Sequence, residues 1–256
     1  MQLSLNGAPR AFIVIPAYNE SGRLGNLLSE IRDFNAAGQA DIEFLVVDDG
    51  SLPEESGKMS ALVSGLGLPD KVSFSRRDKN CGKGAALRFG FEKGLSTDRD
   101  YMGFIDADGS VPLPELARAL RELHCGSGKG FAAITGARVK MLGYDVNRNP
   151  LRHYAGRVFA TFVSLVSGAG IYDSQCGLKI FRRDALARHL NAPTDCRWVW
   201  DTQLLFSMLA AGEKILEMPV SWREVPGSKV SLIKDPLVMA LHLAQFQMKL
   251  RKLNGY

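Results

Sequence analysis

The amino-acid sequence predicts an α/β protein with a mostly parallel central sheet and helices on both faces. Two observations support this class. Short apolar runs rich in β-branched residues recur along the first half, and each is followed by turn-forming residues and then by apolar residues at helical spacing. The 256-residue chain is long enough for one such domain, and its 46% hydrophobic and 23% charged residues argue against disordered and fibrous architectures. We therefore expect a single domain over residues 1–256.

The elements follow in order along the chain. Strands are predicted at 12–15, 42–47, 72–74, 101–105 and 131–139. Helices are predicted at 24–31, 59–66, 82–95, 151–171, 184–190, 201–211 and 235–253. Open parallel sheets bind ligands at the carboxyl ends of their strands. The loops at 16–20, 48–51 and 106–110 each follow such an end, so we expect the functional site there.

The fourth strand ends at the acidic triplet Asp106-Ala107-Asp108. Two carboxylates two residues apart can converge on one divalent cation, and Mg²⁺ and Mn²⁺ prefer oxygen ligands. Such a cation would neutralise a departing diphosphate. A pair of this kind is also common in solvated turns, so the triplet alone leaves both interpretations open.

Three further loops carry polar or glycine-rich patterns. Pro16-Ala17-Tyr18-Asn19-Glu20 and Asp48-Asp49-Gly50-Ser51 offer groups for a base and a ribose, although for each loop taken singly helix capping by Asn19 and Ser51 is the preferred interpretation. Asn80-Cys81-Gly82-Lys83-Gly84 opens a helix, and its amides and Lys83 could approach a diphosphate. It lacks the Walker A spacing, and an ordinary helix entry is the competing interpretation.

Taken in order, the segments VIPAYNE, VVDDGS, NCGKGAALRFGF and FIDADGS resemble the large family of inverting glycosyltransferases with the GT-A fold. Three later segments are more specific: DSQCGLKIF (173–181), RWVWD (197–201) and VSWREVPGSKV (220–230). These resemble the branch of dolichyl- and polyprenyl-phosphate β-glucosyltransferases. The similarity covers nearly the whole chain, from about residue 12 to the last helix.

The resemblance implies a Rossmann-like GT-A domain that moves a hexose, typically glucose from UDP-glucose, onto a polyprenyl phosphate with inversion. Residues 10–130 would form the nucleotide-sugar half, and residues 131–256 the acceptor half with amphipathic helices. The implied uridine site consists of Pro16, Tyr18, Glu20, Asp48 and Asp49. Lys83 would lie near the diphosphate, Asp106 and Asp108 would hold Mg²⁺ or Mn²⁺, and Ala107 would belong to the same site.

An acceptor phosphate is already ionised near neutral pH, so it needs cations that position it and no general base. The candidate phosphate ligands are Arg138, Arg152, Lys179 and Lys229. Arg138 and Arg152 are preferred because the resemblance matches them to basic positions of lipid-phosphate enzymes. Asp201 begins a helix after two tryptophans, and either a capping role or a contact with sugar or acceptor fits that position.

Three alternatives remain open. One is a nucleotidyltransferase, in which this sheet topology and a metal-binding aspartate recur, although the glycine-rich N-terminal signature of those enzymes is missing here. A soluble glycosyltransferase acting on a glycan, protein or nucleic-acid hydroxyl would need a base, for which Asp201 is the candidate. A nucleotide-binding module without catalysis is disfavoured by the intact acidic triplet. The formal charge of +5 suits an anionic partner such as a membrane surface, whereas nothing specific indicates nucleic acid.

The compartment is predicted from what the sequence lacks. It shows no signal-peptide pattern and no apolar run of membrane-spanning length. The four cysteines form no C-x-x-C pair, which is typical of reduced thiols. We therefore expect a cytoplasmic protein, peripheral on the cytoplasmic membrane face through residues 153–171 or the C-terminal helix with its Lys234, Lys249, Arg251 and Lys252.

Overall fold

The computed structural model describes residues 8–38, 40–147, 160–161, 163–165, 168, 170–227 and 234–253. The strands are β1 Arg10–Ala17, β2 Asp41–Asp48, β3 Val72–Arg76, β4 Tyr101–Ile105, β5 Ala133–Ala137, β6 Val146–Asn147, β7 Leu178–Arg182, β8 Ile215–Pro219 and β9 Trp222–Arg223. The helices are α1 Ser21–Ala36, α2 Pro53–Ser64, α3 Lys83–Leu95, α4 Leu113–Cys125, α5 Arg183–His189, α6 Trp200–Ala210 and α7 Lys234–Leu253.

A seven-stranded sheet in the order β3-β2-β1-β4-β7-β5-β8 forms the centre of the molecule. β1, β2, β3 and β4 run parallel, β7 runs antiparallel between β4 and β5, and β8 is parallel to β5. β6 and β9 pair separately as a short two-stranded sheet. This arrangement confirms the predicted α/β fold with a mostly parallel sheet.

Alternate residues of β1 show why helices cover both faces of the sheet. Ala11, Ile13 and Ile15 pack into one core with apolar residues of α1, α2 and α4. Phe12 and Val14 point the other way and pack with α3, α5 and α6. A third cluster lies between α6 and α7.

The predicted elements differ from the structure in several details. The first strand does not stop at Pro16, because Pro16 and Ala17 still pair with β2. Pairing with β4 ends at Val14, so at Pro16 the strand has a neighbour on one side only, where a missing N–H is tolerated. The predicted set omits α4, β6, β7, β8 and β9. Most of the predicted helix at 151–171 lies outside the described residues. Within that range, residues 160–161 and 163–165 are described and are helical.

None of the helices in the described part of the chain combines the length and the apolarity that a membrane span requires.

Candidate active site

The loops after β1 and β2 are joined by hydrogen bonds at one edge of the sheet. The Asp49 amide donates to Ala17 O over 2.9 Å, and the Asn19 amide donates to Ser51 Oγ over 2.8 Å. The Leu52 amide donates to Asn19 Oδ1 over 3.1 Å. Asn19 and Ser51 thus bridge the two loops and do not cap helices; the N-cap positions of α1 and α2 are Glu20 and Leu52. The capping interpretation of these two residues is therefore wrong.

The two aspartates after β2 have different surroundings. Asp48 is fully buried, and its Oδ1 accepts the Ser51 amide over 2.9 Å. Its Oδ2 has no hydrogen-bond partner among the described residues and lies 3.6 Å from Arg76 Nε. Asp49 accepts a hydrogen bond from Arg77, and its Oδ2 accepts the amide of Gly82 over 2.6 Å. Asp49 therefore ties the loop after β2 to the glycine-rich loop.

The glycine-rich loop is held from two sides. Asp49 Oδ2 also accepts the Cys81 amide, and the amides of Gly84 and Ala85 donate to carbonyl oxygens of Arg197 and Cys196 over 3.0 and 2.9 Å. The amides of Cys81, Gly82, Gly84 and Ala85 are thus bonded within the protein. The expectation that amides of this loop approach a diphosphate is therefore wrong for these four. The side chain of Lys83 is the part of this loop that reaches the acidic triplet.

Lys83 connects the start of α3 with the acidic triplet at the end of β4. Its Nζ lies 2.6 Å from Asp106 Oδ1 and 4.9 Å from the centre of the Phe104 ring. Burial alone would raise the pKa of Asp106, but the ammonium of Lys83, followed by the charges of Lys179 and Arg138, outweighs it and holds that pKa below its usual value. Asp106 is consequently a charged carboxylate, with 36% of its side chain exposed.

Asp108 has the opposite tendency. Its Oδ1 accepts the Ser110 amide over 2.9 Å. Burial, together with the charge of Asp106, raises the pKa of Asp108. The two carboxylates therefore repel each other electrostatically, and a divalent cation bound by both would relieve that repulsion. Ala107 between them has its side chain in the core and contributes spacing only.

The donor atoms of this pair fit Mg²⁺ or Mn²⁺. Among the described residues there is no group of three or more His, Cys, Asp or Glu side chains that could hold a metal ion. Two protein carboxylates would thus be completed by oxygen atoms of a substrate and water, a common arrangement for Mg²⁺ at phosphate sites.

Glu20 and Arg23 lie between the loop after β1 and the acidic triplet. Arg23 Nε and NH2 donate to Glu20 Oε2 and Oε1 over 2.7 and 2.6 Å. Arg23 NH1 lies 3.9 Å from Asp108 Oδ2 and 3.4 Å from Pro226 O. This one guanidinium therefore connects the loop after β1, the acidic triplet and the segment after β9. Tyr18 is exposed at the same rim.

Arg138 follows β5 and forms a bidentate pair with Asp173. Its Nε lies 2.7 Å from Asp173 Oδ2 and its NH2 2.8 Å from Oδ1. Arg138 is close enough to Asp106 for its charge to lower the pKa of that carboxylate. Arg152 and Lys229, the other predicted ligands of the acceptor phosphate in this group, lie outside the described residues.

Lys179 and Asp201 form a buried ion pair. Lys179 Nζ lies 2.6 Å from Asp201 Oδ2 and donates to Cys176 O over 3.0 Å, and its side chain is 0% exposed. Asp201 Oδ1 accepts the Thr202 amide over 3.0 Å. The structure contradicts the expectation that Lys179 contacts an acceptor phosphate, because the ammonium is enclosed and already paired. Asp201 is likewise occupied by protein partners, and the N-cap position of α6 is Val199.

Sequence reasoning gave no role to several residues that shape this site. A Cβ on Gly177 would overlap the Asp106 carboxyl group, with Asp106 Cγ only 2.7 Å away. Phe104 lies beneath both Lys83 and Lys179. Asp173 and Gly177 belong to the DSQCGLKIF segment, so the signal was present as a motif, but their contacts join distant parts of the chain.

A mostly parallel α/β sheet with an acidic pair at the end of β4 and basic residues facing it defines the class of GT-A glycosyltransferases. Residues 12–190 match the family model described as Glycosyl transferase family 2. The chain therefore belongs to this family, which confirms the predicted family and enzyme class.

Similar proteins from other organisms support the same family. The chain is similar to dolichyl-phosphate beta-glucosyltransferase of Dictyostelium discoideum, with 27% identity over 93% of this chain and 73% of the relative. It is similar to the Homo sapiens protein of that name, with 30% identity over 85% of this chain and 68% of the relative. It is also similar to polyprenol monophosphomannose synthase of Mycolicibacterium smegmatis, with 31% identity over 87% of this chain and 81% of the relative.

Solved structures show the same fold at lower sequence identity. Mannosyl-3-phosphoglycerate synthase from Rubrobacter xylanophilus superposes with a TM-score of 0.69 and 17% identity, covering 96% of this chain and 75% of the other. Glucosyl-3-phosphoglycerate synthase from Mycobacterium tuberculosis, crystallised with Mn²⁺, uridine diphosphate and phosphoglyceric acid, gives a TM-score of 0.68 and 15% identity over 94% and 78%.

Proposed function

We propose that the protein transfers a hexose from a nucleotide-sugar to a polyprenyl phosphate, with inversion at the anomeric carbon. UDP-glucose is the proposed donor and Mg²⁺ or Mn²⁺ the proposed cofactor. The observation that carries the proposal is that the Asp106 carboxylate, 2.6 Å from the ammonium of Lys83, also lies within electrostatic reach of the Arg138 guanidinium. A leaving diphosphate and an attacking phosphate need these two environments side by side.

On the donor side, Asp106 and Asp108 would hold the cation, which supplies positive charge to the leaving diphosphate. Lys83 keeps Asp106 ionised and adds a second positive charge at the same place. The proposed nucleoside site is formed by the joined loops after β1 and β2, with Pro16, Tyr18, Glu20, Asp48 and Asp49. Glucosyl-3-phosphoglycerate synthase of the same fold was crystallised with Mn²⁺ and uridine diphosphate, which makes both ligands reasonable here.

On the acceptor side, we propose Arg138 as a phosphate ligand together with Arg152 and Lys229. A phosphate monoester is ionised near neutral pH, so its oxygen can attack without a general base. The contacts of Asp201 favour this acceptor over a hydroxyl, because a hydroxyl needs a free base and both Asp201 oxygens are bonded to Lys179 and Thr202. The names of the relatives also point to lipid phosphates: dolichyl phosphate in one case and polyprenol monophosphate in the other.

We further propose that the protein works on the cytoplasmic face of an anionic membrane. The outward side of α7 carries exposed Val238, Leu241 and Met248 beside exposed Lys249 and Lys252. Apolar side chains next to lysines are the pattern by which helices lie in an anionic lipid surface. Sedimentation with phosphatidylglycerol vesicles should exceed that with phosphatidylcholine vesicles, and Leu241→Glu should reduce it. Equal sedimentation with both lipids would contradict this part of the proposal.

The central test supplies purified protein with Mn²⁺ or Mg²⁺, a panel of UDP-glucose, UDP-galactose and GDP-mannose, and three lipids. These are a polyprenyl phosphate, the matching polyprenol and the matching polyprenyl diphosphate. We expect radiolabelled sugar in the organic phase only with the monophosphate and most of it from UDP-glucose.

Asp106→Asn should lower the rate by about 100-fold or more, since it weakens charge stabilisation of the leaving group. Asp33→Asn, at an exposed residue of α1, is the matched control. Turnover that is equal without the lipid would overturn the proposal.

A further inference from the structure

The guanidinium of Arg138 is held in one orientation by the carboxylate of Asp173. Besides the two side-chain bonds, Asp173 Oδ2 also accepts the backbone amide of Arg138 over 3.0 Å. The centre of the Trp222 ring lies 5.8 Å from Arg138 Cζ. Only 15% of the Arg138 side chain and 12% of the Asp173 side chain are exposed. An enclosed bidentate pair of this kind has one geometry, whereas an exposed arginine samples many.

Asp173 is itself fixed by a second carboxylate. Glu217, on β8, accepts the amide of Tyr172 at Oε2 over 2.7 Å and the amide of Asp173 at Oε1 over 2.8 Å. The segment that carries Asp173 is therefore attached to the sheet through β8, while Arg138 follows β5, the strand paired with β8. Both partners of the ion pair thus rest on neighbouring strands of the rigid sheet.

Asp173 uses only part of the hydrogen-bonding capacity of Arg138. A guanidinium has five N–H groups in a fixed plane. Asp173 accepts from Nε and from one hydrogen of NH2, which leaves both hydrogens of NH1 and one of NH2. Among the described residues, these three have no recorded partner. They form the edge of the guanidinium away from Asp173, and a phosphate can accept two parallel hydrogen bonds from such an edge.

We propose that Asp173 is a positioning residue for the acceptor: it orients Arg138 so that the free edge of the guanidinium receives the acceptor phosphate beside Asp106. This inference rests on the proposed function, in which Arg138 binds that phosphate. Glu217 contributes by fixing the backbone of Asp173. Asp173 does not touch the acceptor and acts through Arg138.

Charge and orientation predict opposite results when Asp173 is removed. Asp173 cancels most of the positive charge of Arg138, so an effect of charge alone would make Asp173→Asn bind phosphate more tightly. Orientation predicts weaker binding, because the amide of asparagine presents an N–H to part of the guanidinium and cannot hold both of its donors. We expect orientation to dominate, with a rise of about tenfold in the acceptor KM and in the Kd for a lipid phosphate.

The experiment is a double-mutant cycle on the full chain, using Asp173→Asn, Arg138→Ala and the double variant. Two readouts are taken: calorimetric binding of citronellyl phosphate, a soluble polyprenyl phosphate, and the transfer rate at varied donor and acceptor. We expect each single variant to raise the acceptor KM and the Kd while the donor KM stays nearly constant. The double variant should match Arg138→Ala, since Asp173 has nothing to orient once the guanidinium is gone. Asp184→Asn, which breaks an exposed Asp–Arg pair on α5, should leave all values unchanged.

Arg138→Lys keeps the charge and provides a test that does not require removal of Asp173. A lysine cannot bond Asp173 and a phosphate through two opposite edges, so we expect it to bind citronellyl phosphate almost as weakly as Arg138→Ala. Wild-type binding by Arg138→Lys, tighter binding by Asp173→Asn, or additive effects in the cycle would each overturn the inference alone. Absence of citronellyl phosphate binding by the wild type would overturn the proposed function and the inference together.

Discussion

The carboxyl group of Asp106 lies against the backbone of Gly177, and this contact leaves no room for a side chain at that position. An ideal Cβ on Gly177 would come within 2.7 Å of Asp106 Cγ and closer still to Oδ2. Gly177→Ala should therefore displace the carboxylate and lower the transfer rate by about 100-fold, as expected when a group that carries the chemistry shifts by about 1 Å.

The measurement is the transfer rate together with the thermal midpoint of unfolding. Gly57→Ala on α2 is the matched control, because no atom lies within 4 Å of its added Cβ. That control should keep full activity and gain slightly in stability through its helix propensity. Full activity of Gly177→Ala would show that the Asp106 carboxylate does not need the position that it has here.

The buried pair of Lys179 and Asp201 leads to a second prediction at the scale of single residues. Asp201→Asn leaves the fully buried ammonium of Lys179 without its counter-charge, which costs about 3–5 kcal/mol of unfolding free energy. The double variant Lys179→Met with Asp201→Asn removes the uncompensated charge and should recover most of this loss. Urea unfolding of both variants measures the two values.

This prediction also changes how a loss of activity in Asp201→Asn is interpreted. A catalytic base would be lost equally in the single and double variants. If the double variant regains both stability and transfer activity, Asp201 acts through structure; if it regains stability but stays inactive, a charge of this pair has a direct role in transfer.

At the scale of elements, α3 and α6 approach closely at Gly84. A Cβ there would come within 2.7 Å of Trp200 Cγ and 3.0 Å of the Cys196 carbonyl carbon. Gly84→Ala should therefore push the two helices apart and cost about 1–3 kcal/mol of unfolding free energy, despite the better helix propensity of alanine. Gly25→Ala on α1, whose Cβ would meet only Leu62 Cδ2 at 3.8 Å, should not lower stability. Chemical unfolding compares them; equal stability of the two would mean that the α3–α6 contact is not tight.

The elements also show what could be predicted from the sequence. β1, β2 and β4 are apolar runs buried on both faces, and such runs are recognisable without tertiary information. β7 is not an uninterrupted apolar run, because it contains the basic residues Lys179 and Arg182. Lys179 enters the core only because Asp201, 22 residues further on, accepts its charge. The helical spacing of Leu116, Leu120 and Leu123 makes α4 recognisable from the sequence.

The same reasoning separates the site residues. That Asp106 and Asp108 lie at the carboxyl edge of the sheet followed from their place after an apolar strand. The sequence did not show which basic side chain pairs with them, because Lys83 and Asp106 are brought together by the packing of α3 on β4. Lys179 was assigned to a phosphate because sequence shows a charge but not its partner. Ion pairs between residues that are distant in the sequence therefore limit what the sequence can predict at this site.

At the scale of the whole molecule, Cys176 is a reporter of global unfolding. It is fully buried beside Gly136 of β5, and burial, followed by the charge of Asp173, raises the pKa of its thiol to about 11. The thiolate is the reactive form, so alkylation near neutral pH should require opening of the core. Cys125 is exposed and should react at the rate of a free thiol. A variant with Cys81→Ser and Cys196→Ser would leave only these two thiols to compare.

Donor binding should slow the alkylation of Cys176 without affecting Cys125. A ligand that binds only the folded state stabilises it by about 2.7 kcal/mol at 100 times its Kd, which reduces the unfolded population about 100-fold. Labelling that proceeds through global unfolding should slow by the same factor when UDP and Mn²⁺ are both saturating. With UDP alone it should slow much less, because Asp106 and Asp108 would then repel the diphosphate. Mass spectrometry of time points measures both rates in one sample. Unchanged Cys176 labelling at saturating UDP and Mn²⁺ would contradict the proposed donor site, whereas equally rapid labelling of Cys176 and Cys125 without ligand would contradict the packing of β5 against the DSQCGLKIF segment.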